Sequence, residues 1–261
     1  MTKTIAVTNQ KGGVGKTTTS VNLAASLAAT HRQVLLIDMD PQGNATMGSG
    51  VDKRAIPAST YDVLLGEIAL HDALLPTEAG YDLLPANADL TAAEVGLLET
   101  DGREQRLRTA LAAATDYDYI LVDCPPALNM LTVNALVAAD TVMIPMQCEY
   151  YALEGLSALL DTIRRIQEQL NPDLEVEGLL RTMFDPRNRL ATDVSRQLTD
   201  HFGGKVYRTV IPRNVRLAEA PSYGLPVLAY DKGSRGAQSY LALAGELLRN
   251  ESAGKPDPAP A

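Results

Sequence analysis

The sequence predicts an α/β fold, a doubly wound and largely parallel sheet flanked by helices. Three observations predict it. Short apolar, β-branched runs alternate with helical patterns along the 261 residues. The first run leads through a glycine-rich loop straight into a helix. Two further apolar runs end in aspartate, where parallel sheets of this kind bind ligands. The strand-like runs are Thr4–Thr8, Val34–Ile37, Leu83–Leu84, Tyr119–Val122, Val142–Met146, Val176–Leu180 and Val206–Ile211. Helical spacing is clearest over Thr17–Ala29, Arg103–Ala114, Leu153–Leu170 and about Gly236–Leu248. A single domain is expected over 1–250. The Pro/Ala-rich stretch Glu251–Ala261 is expected to be a disordered tail.

Thr4–Thr8 alternates and reads as the first strand. It is followed by Lys11-Gly12-Gly13-Val14-Gly15-Lys16-Thr17-Thr18. The end of this loop fits the phosphate-binding pattern G-x-x-x-x-G-K-[S/T], but its first glycine is replaced by Gln10, and Lys11 adds a second cation. Glycines let backbone N–H groups turn toward phosphate, and the N-terminus of the next helix adds its positive dipole end. Lys16 is expected to reach the β/γ-phosphates and Thr17 to offer its hydroxyl to Mg²⁺.

Val34–Ile37 is a buried-type strand ending in Asp38-Met39-Asp40-Pro41-Gln42-Gly43. If the strand continues, alternation sets Asp38 and Asp40 on one side, one to hold Mg²⁺ through water and the other to orient an attacking water. Tyr119–Val122 ends in Asp123, the Walker B form, whose aspartate holds Mg²⁺. Cys124-Pro125-Pro126 then stops the strand.

Composition narrows the class. Cys124 and Cys148 lack metal-ligand spacing and read as buried thiols of a reducing compartment. No signal-peptide pattern and no membrane-length apolar run is present, so a cytoplasmic location without membrane attachment is expected. The net charge of −9 argues against nucleic acid, but Arg181–Tyr240 carries ten Lys/Arg against five Asp/Glu, a local +5. A basic last third on an acidic chain can bind a phosphate backbone.

The loop resembles the deviant Walker A loop of the ParA/MinD group of ATPases. Asp38-Met39-Asp40-Pro41-Gln42-Gly43-Asn44 resembles that family's second signature, and Ile144–Leu156 and Val210–Val227 are similar to chromosomal ParA/Soj proteins in particular. The likeness runs from Thr4 to about Leu248. It implies a P-loop ATPase using ATP and Mg²⁺, with Thr17, Asp38 and Asp123 serving the metal. It implies an ATP-bound sandwich homodimer in which Lys11 reaches the partner's phosphates, and in which Asp40 is needed for hydrolysis. It also implies non-specific binding of double-stranded DNA, a nucleoid-associated location and a ParB-type centromere-binding partner that triggers hydrolysis. Pro212 and Asn214, with Arg213 between them, match the adenine-binding segment. Arg187 matches a DNA-contact position; Arg189, Arg213, Arg216, Lys232 and Arg235 are further candidates, and which of Arg187 and Arg189 meets phosphate stays open. An ATP-dependent ligase or synthase on the same fold is the alternative from another class.

Overall fold

The computed structural model describes residues 2–97 and 100–254. Eight strands form one sheet: β1 (Lys3–Val7), β2 (Val34–Asp38), β3 (Leu75–Pro76), β4 (Asp82–Leu84), β5 (Tyr119–Asp123), β6 (Thr141–Gln147), β7 (Glu175–Phe184) and β8 (Val206–Pro212). Their order is β3-β4-β2-β5-β1-β6-β7-β8. All neighbours are parallel except β3 and β4. The parallel pairs need crossovers, and helices supply them. α1 (Lys16–Ala28) joins β1 to β2. α2 (Asn44–Gly48), α3 (Thr60–Leu65) and α4 (Leu70–Ala73) lead to β3, and α5 (Leu90–Gly96) and α6 (Arg106–Leu111) lead to β5. α7 (Met130–Ala138), α8 (Ala152–Gln169) and α9 (Arg189–Phe202) make the next three crossings. After β8 come α10 (Val215–Glu219), α11 (Val227–Tyr230) and α12 (Arg235–Gly254).

The two-residue period of the strands sorts the core onto two faces. Ile5, Val7, Leu36 and Leu121 join one cluster with Leu23 and Leu27 of α1 and Tyr240 and Leu243 of α12. Ala6, Leu35, Ile37, Ile120 and Val122 join the other, with Leu131 and Leu136 of α7 and Leu159 of α8. The same period carries Asp38, two residues past Leu36, and Asp123, two past Leu121, onto the α1 face. Register then sets Asp123 beside Asp38 on one side and Val7 on the other. From β1 the chain turns to β2, whereas from β5 it crosses over β1 to β6. The crevice at the C-terminal ends of these strands is where such sheets take ligands.

Several elements differ from the sequence expectation. The β3 edge strand is only two residues long, too short to leave a pattern. Arg103–Ala114 is broken into a 3₁₀ turn, Arg103–Gln105, followed by α6. β7 runs on to Phe184, four residues past Leu180. α12 continues through Glu251 to Gly254, into the expected tail, with Glu251 paired to Lys3 (3.0 Å) and accepting from the Tyr119 hydroxyl (2.5 Å). The rest of that tail, 255–261, lies outside the described residues. Both cysteines are free and buried. Among the described residues, no helix is long and apolar enough to cross a membrane.

Candidate nucleotide site

The Gly-rich loop spans the gap between β1 and α1. Gly13 (φ 74°) and Gly15 (φ 91°) take left-handed backbone that side chains resist, which turns the loop's N–H groups inward. Gly15 caps α1 and has no side chain to satisfy the first-turn N–H groups, so they remain donors for an anion. Asn9 braces the loop's front: its amide donates to the Pro145 carbonyl (2.9 Å) and accepts from Lys11 N–H (2.9 Å). Thr182 braces the back, donating to the Val14 carbonyl (2.7 Å).

The two lysines of the loop face different ways. Lys16 is 7% exposed, with Nζ 3.2 Å from the Lys11 carbonyl. Burial lowers its pKa, against the pull of Asp123. The Lys11 side chain is 47% exposed and ion-pairs with Glu149 (2.5 Å).

Asp123 is fully buried and accepts from two hydroxyls of α1, Thr17 (2.7 Å) and Ser20 (2.8 Å). Asp38, also fully buried, accepts from Thr46 N–H (2.8 Å), Thr46 Oγ1 (2.7 Å) and Asp40 N–H (3.1 Å). Burial pushes both carboxyls up, and the adjacent Asp38 pushes Asp123 further. Such a pair favours a cation nearby. Asp38, Asp123 and Thr17 offer only oxygen donors, which suits a hard ion such as Mg²⁺. Among the described residues no cluster of three or more His, Cys, Asp or Glu could hold a metal.

Asp40 does not continue the strand as alternation required: β2 stops at Asp38, and Asp40 enters a turn, accepting from Gln42 N–H (2.9 Å). It still borders the cavity above the loop, with Gly12, Gly13, Gly15, Lys16, Thr17 and Thr18. That cavity shares Gly15, Thr18 and Met183 with a second, of about 190 Å³, walled by Ile211, Pro212, Arg213, Asn214, Leu217 and Tyr240. The second is largely apolar, while the lining of the first has a much larger polar share. Together they have the form of a nucleotide site.

The structure brings only some of the candidate arginines together. Arg187 is 88% exposed and grips Asp185 through Nε (2.9 Å) and Nη2 (2.8 Å). Those bonds, with Arg213 nearby, hold the Asp185 carboxyl down to about 2. Register sets Phe184 beside Pro212, so Arg187, Arg213 and Arg189, which opens α9, follow the neighbouring ends of β7 and β8. Arg216 is held between Glu219 (2.8 Å) and Asp231 (3.3 Å). Arg235 opens α12 beside Gly236, which packs against Leu217 and Asn214. Lys232 lines a different groove with Ala25 and Ala29, roughly 10–16 Å further down α1 than Thr18 at 1.5 Å per residue. Arg181 is held away from those strand ends: it is half-buried on Ser195 (2.8 Å) and the Tyr207 carbonyl (2.6 Å).

A family model described as an AAA domain matches residues 2–176. The sporulation initiation inhibitor protein Soj of Bacillus subtilis is 54% identical, over 96% of this chain and 100% of its own. The chromosome partitioning protein ParA of Myxococcus xanthus is 52% identical, over 97% and 90%. The chain belongs to the ParA/Soj family of chromosome-partitioning ATPases. An uncharacterized protein of Pseudomonas putida is 68% identical to this ParA/Soj-family chain, over 96% of both. A structure of cobyrinic acid a,c-diamide synthase from Mycobacterium smegmatis, with bound ATP analog and magnesium, is 41% identical, with TM-score 0.86 over 98% of each chain. The septum site-determining protein MinD of Pyrococcus horikoshii, complexed with Mg-ADP, is 26% identical, with TM-score 0.79 over 97% of this chain and 98% of its own.

Sequence reasoning missed several residues of this ParA/Soj-family site. Ser20 was legible, since Thr17 and Ser20 stand three apart on one helix face. Met183 was not. It holds φ +48°, unusual for a side chain this large, lines both cavities, and its Sδ accepts from Gln147 Nε2 (2.9 Å). Gln147 also reaches the Gly13 carbonyl (3.4 Å), tying the end of β6 to the loop.

Proposed function

We propose that this chain is a nucleotide-switched DNA-partitioning ATPase. With ATP it forms a sandwich dimer; the dimer binds double-stranded DNA without sequence preference; hydrolysis, stimulated by a ParB-type partner, releases it to repeat the cycle on the nucleoid. The observation that carries this reading is the division between two lysines of one loop, Lys16 buried and turned inward, Lys11 exposed and turned outward. One cation is enough to hold a nucleotide in its own site. A second, aimed away, suits a neighbouring site.

Lys16, the N–H groups of Gly12–Gly15 and Thr18 hold the phosphates, while Pro212, Arg213 and Asn214 border the base. Mg²⁺, held by Thr17 with Asp38 and Asp123, would neutralise charge on the β- and γ-oxygens. Asp40 orients the attacking water from the cavity edge. Lys11 of the second copy stabilises charge on the transferring phosphoryl group, as a finger supplied in trans does, an effect worth ~10³–10⁵ in rate. Arg187, Arg189 and Arg213 contact DNA phosphates. Dimerisation doubles that surface, which steepens the salt dependence and raises affinity through avidity.

The test is binding of the full chain to non-specific duplex DNA with ATP, ADP and no nucleotide, using Asp40→Ala to hold the ATP state. Binding restricted to ATP and weakening steeply with salt is expected. Equal binding in all three states would refute the switch. The 41% identity to a protein named as a synthase favours a second reading, an ATP-dependent enzyme acting on a small molecule. That reading expects no DNA binding in any state, and ATP turnover only when a small-molecule acid is supplied.

A further inference from the structure

The connection between β6 and α8 does more than turn the chain. Gln147 touches the Gly13 carbonyl, Glu149 holds Lys11, and Tyr150 and Tyr151 stand 74% and 70% exposed with their rings edge to face at 5.0 Å. One short segment thus grips the front of the phosphate loop at two points and presents a bare aromatic pair beside them. Lys11 is anchored at its backbone by Asn9, so only its side chain is free to swing. Its amine cannot pair with Glu149 and reach a second nucleotide together.

We propose that Glu149 is a positioning residue that parks Lys11 within its own chain and sets the threshold for dimerisation. This rests on the trans-lysine reading above and deepens it. In the free chain the Lys11–Glu149 pair stabilises the monomer. On association each Lys11 leaves its carboxylate for the phosphates of the other copy, and the tyrosine pair, on the next two residues, is covered by that copy. A half-exposed ion pair is worth little, so the device tunes the equilibrium without blocking it. With two pairs broken per dimer, their removal should tighten dimerisation by about two- to thirtyfold. Salt screens exposed pairs, so the effect should shrink as ionic strength rises.

The experiment measures the dimer dissociation constant of the full chain and of Glu149→Gln with ATPγS, by analytical ultracentrifugation at low and high salt. Matching thermal melts establish that the exposed substitution leaves the fold intact. Tighter dimerisation of Glu149→Gln at low salt, converging with the unmodified chain at high salt, is the expected result. Glu149→Asp, which keeps the charge on a shorter arm, should fall between. Unchanged or weaker dimerisation of Glu149→Gln would overturn the proposal and leave the trans lysine standing. An equal gain from Glu149→Gln when Lys11 is already alanine would also overturn it, since the effect would then bypass Lys11. Absence of a dimer from every variant with nucleotide would remove the trans lysine and its parking site together.

Discussion

Gly43, in the turn that carries Asp40, is the position where a single methyl group should do most damage to the switch. Its φ is +59°, and an added Cβ would lie 2.6 Å from the Ala86 carbonyl oxygen and 2.8 Å from Lys53 Cδ. The lysine can swing aside; the carbonyl, in the segment after β4, cannot. Left-handed backbone costs alanine about 1–2 kcal/mol. Pressing a methyl into a fixed neighbour costs about 1–3 kcal/mol. Stiffening the unfolded chain returns about 0.4–1 kcal/mol. The net destabilisation of Gly43→Ala is thus about 1–5 kcal/mol, or a melting temperature about 2–20 °C lower at ~2–4 °C per kcal/mol. Gly102 has nearly the same φ, +66°, but nothing within 4 Å of an added Cβ, so Gly102→Ala isolates the strain alone, about 1 kcal/mol. The assay is thermal unfolding of both variants beside ATP turnover. Gly43→Ala should melt well below Gly102→Ala and lose hydrolysis as Asp40 is displaced. Equal melting temperatures, or full turnover in Gly43→Ala, would refute the claim that the Ala86 carbonyl holds this turn in place.

Other expectations are independent of that turn. Arg187→Ala and Arg213→Ala should each weaken ATP-dependent DNA binding and reduce the salt slope by about one, while Lys232→Ala, on a separate groove, should leave both unchanged; fluorescence anisotropy at several salt concentrations separates them. Asp185 is held down by Arg187, so any contribution it makes to stability is present above its ordinary value of 3.8 and lost as pH falls toward about 2. An NMR titration should place its carboxyl low in the unmodified chain and return it to the ordinary range in Arg187→Ala. Asn171, buried where α8 gives way to β7, donates to the carbonyls of Leu136 (3.0 Å), Val137 (3.2 Å) and Ala139 (2.8 Å). Asn171→Ala should destabilise the fold by about 1–3 kcal/mol, with ATP turnover per folded molecule unchanged in a parallel melt and activity assay.

The parts of the molecule legible in sequence are those governed by local pattern. Apolar runs located the central strands because parallel strands are buried on both faces. The loop was legible because glycine, lysine and threonine have few substitutes in a phosphate cradle. What stayed hidden depends on long-range contact. α9 has the strong amphipathic spacing of an ordinary surface helix, yet its first residue, Arg189, follows the neighbouring ends of β7 and β8 only because those strands pair. Met183 reads as one more apolar residue after Leu180, and neither its left-handed backbone nor its seat between two cavities leaves a local sequence pattern. The local +5 carries no information on placement: Arg181 is half-buried on Ser195, and Arg216 sits between two of the five acids already counted in that sum. Alternation set Asp38 and Asp40 on one side; the strand ending at Asp38 separates a carboxylate sealed from solvent from a second buried one that borders the cavity.

The most direct test of the trans lysine mixes two variants that should each be nearly inactive, Lys11→Ala and Asp40→Ala. In a mixed dimer, the site on the Lys11→Ala chain has its own Asp40 and receives Lys11 from the other chain. Hydrolysis measured across the mixing ratio should rise above both parents and peak near equal proportions. If it only tracks the weighted average of the two, Lys11 acts within its own chain and the sandwich account of this site is wrong.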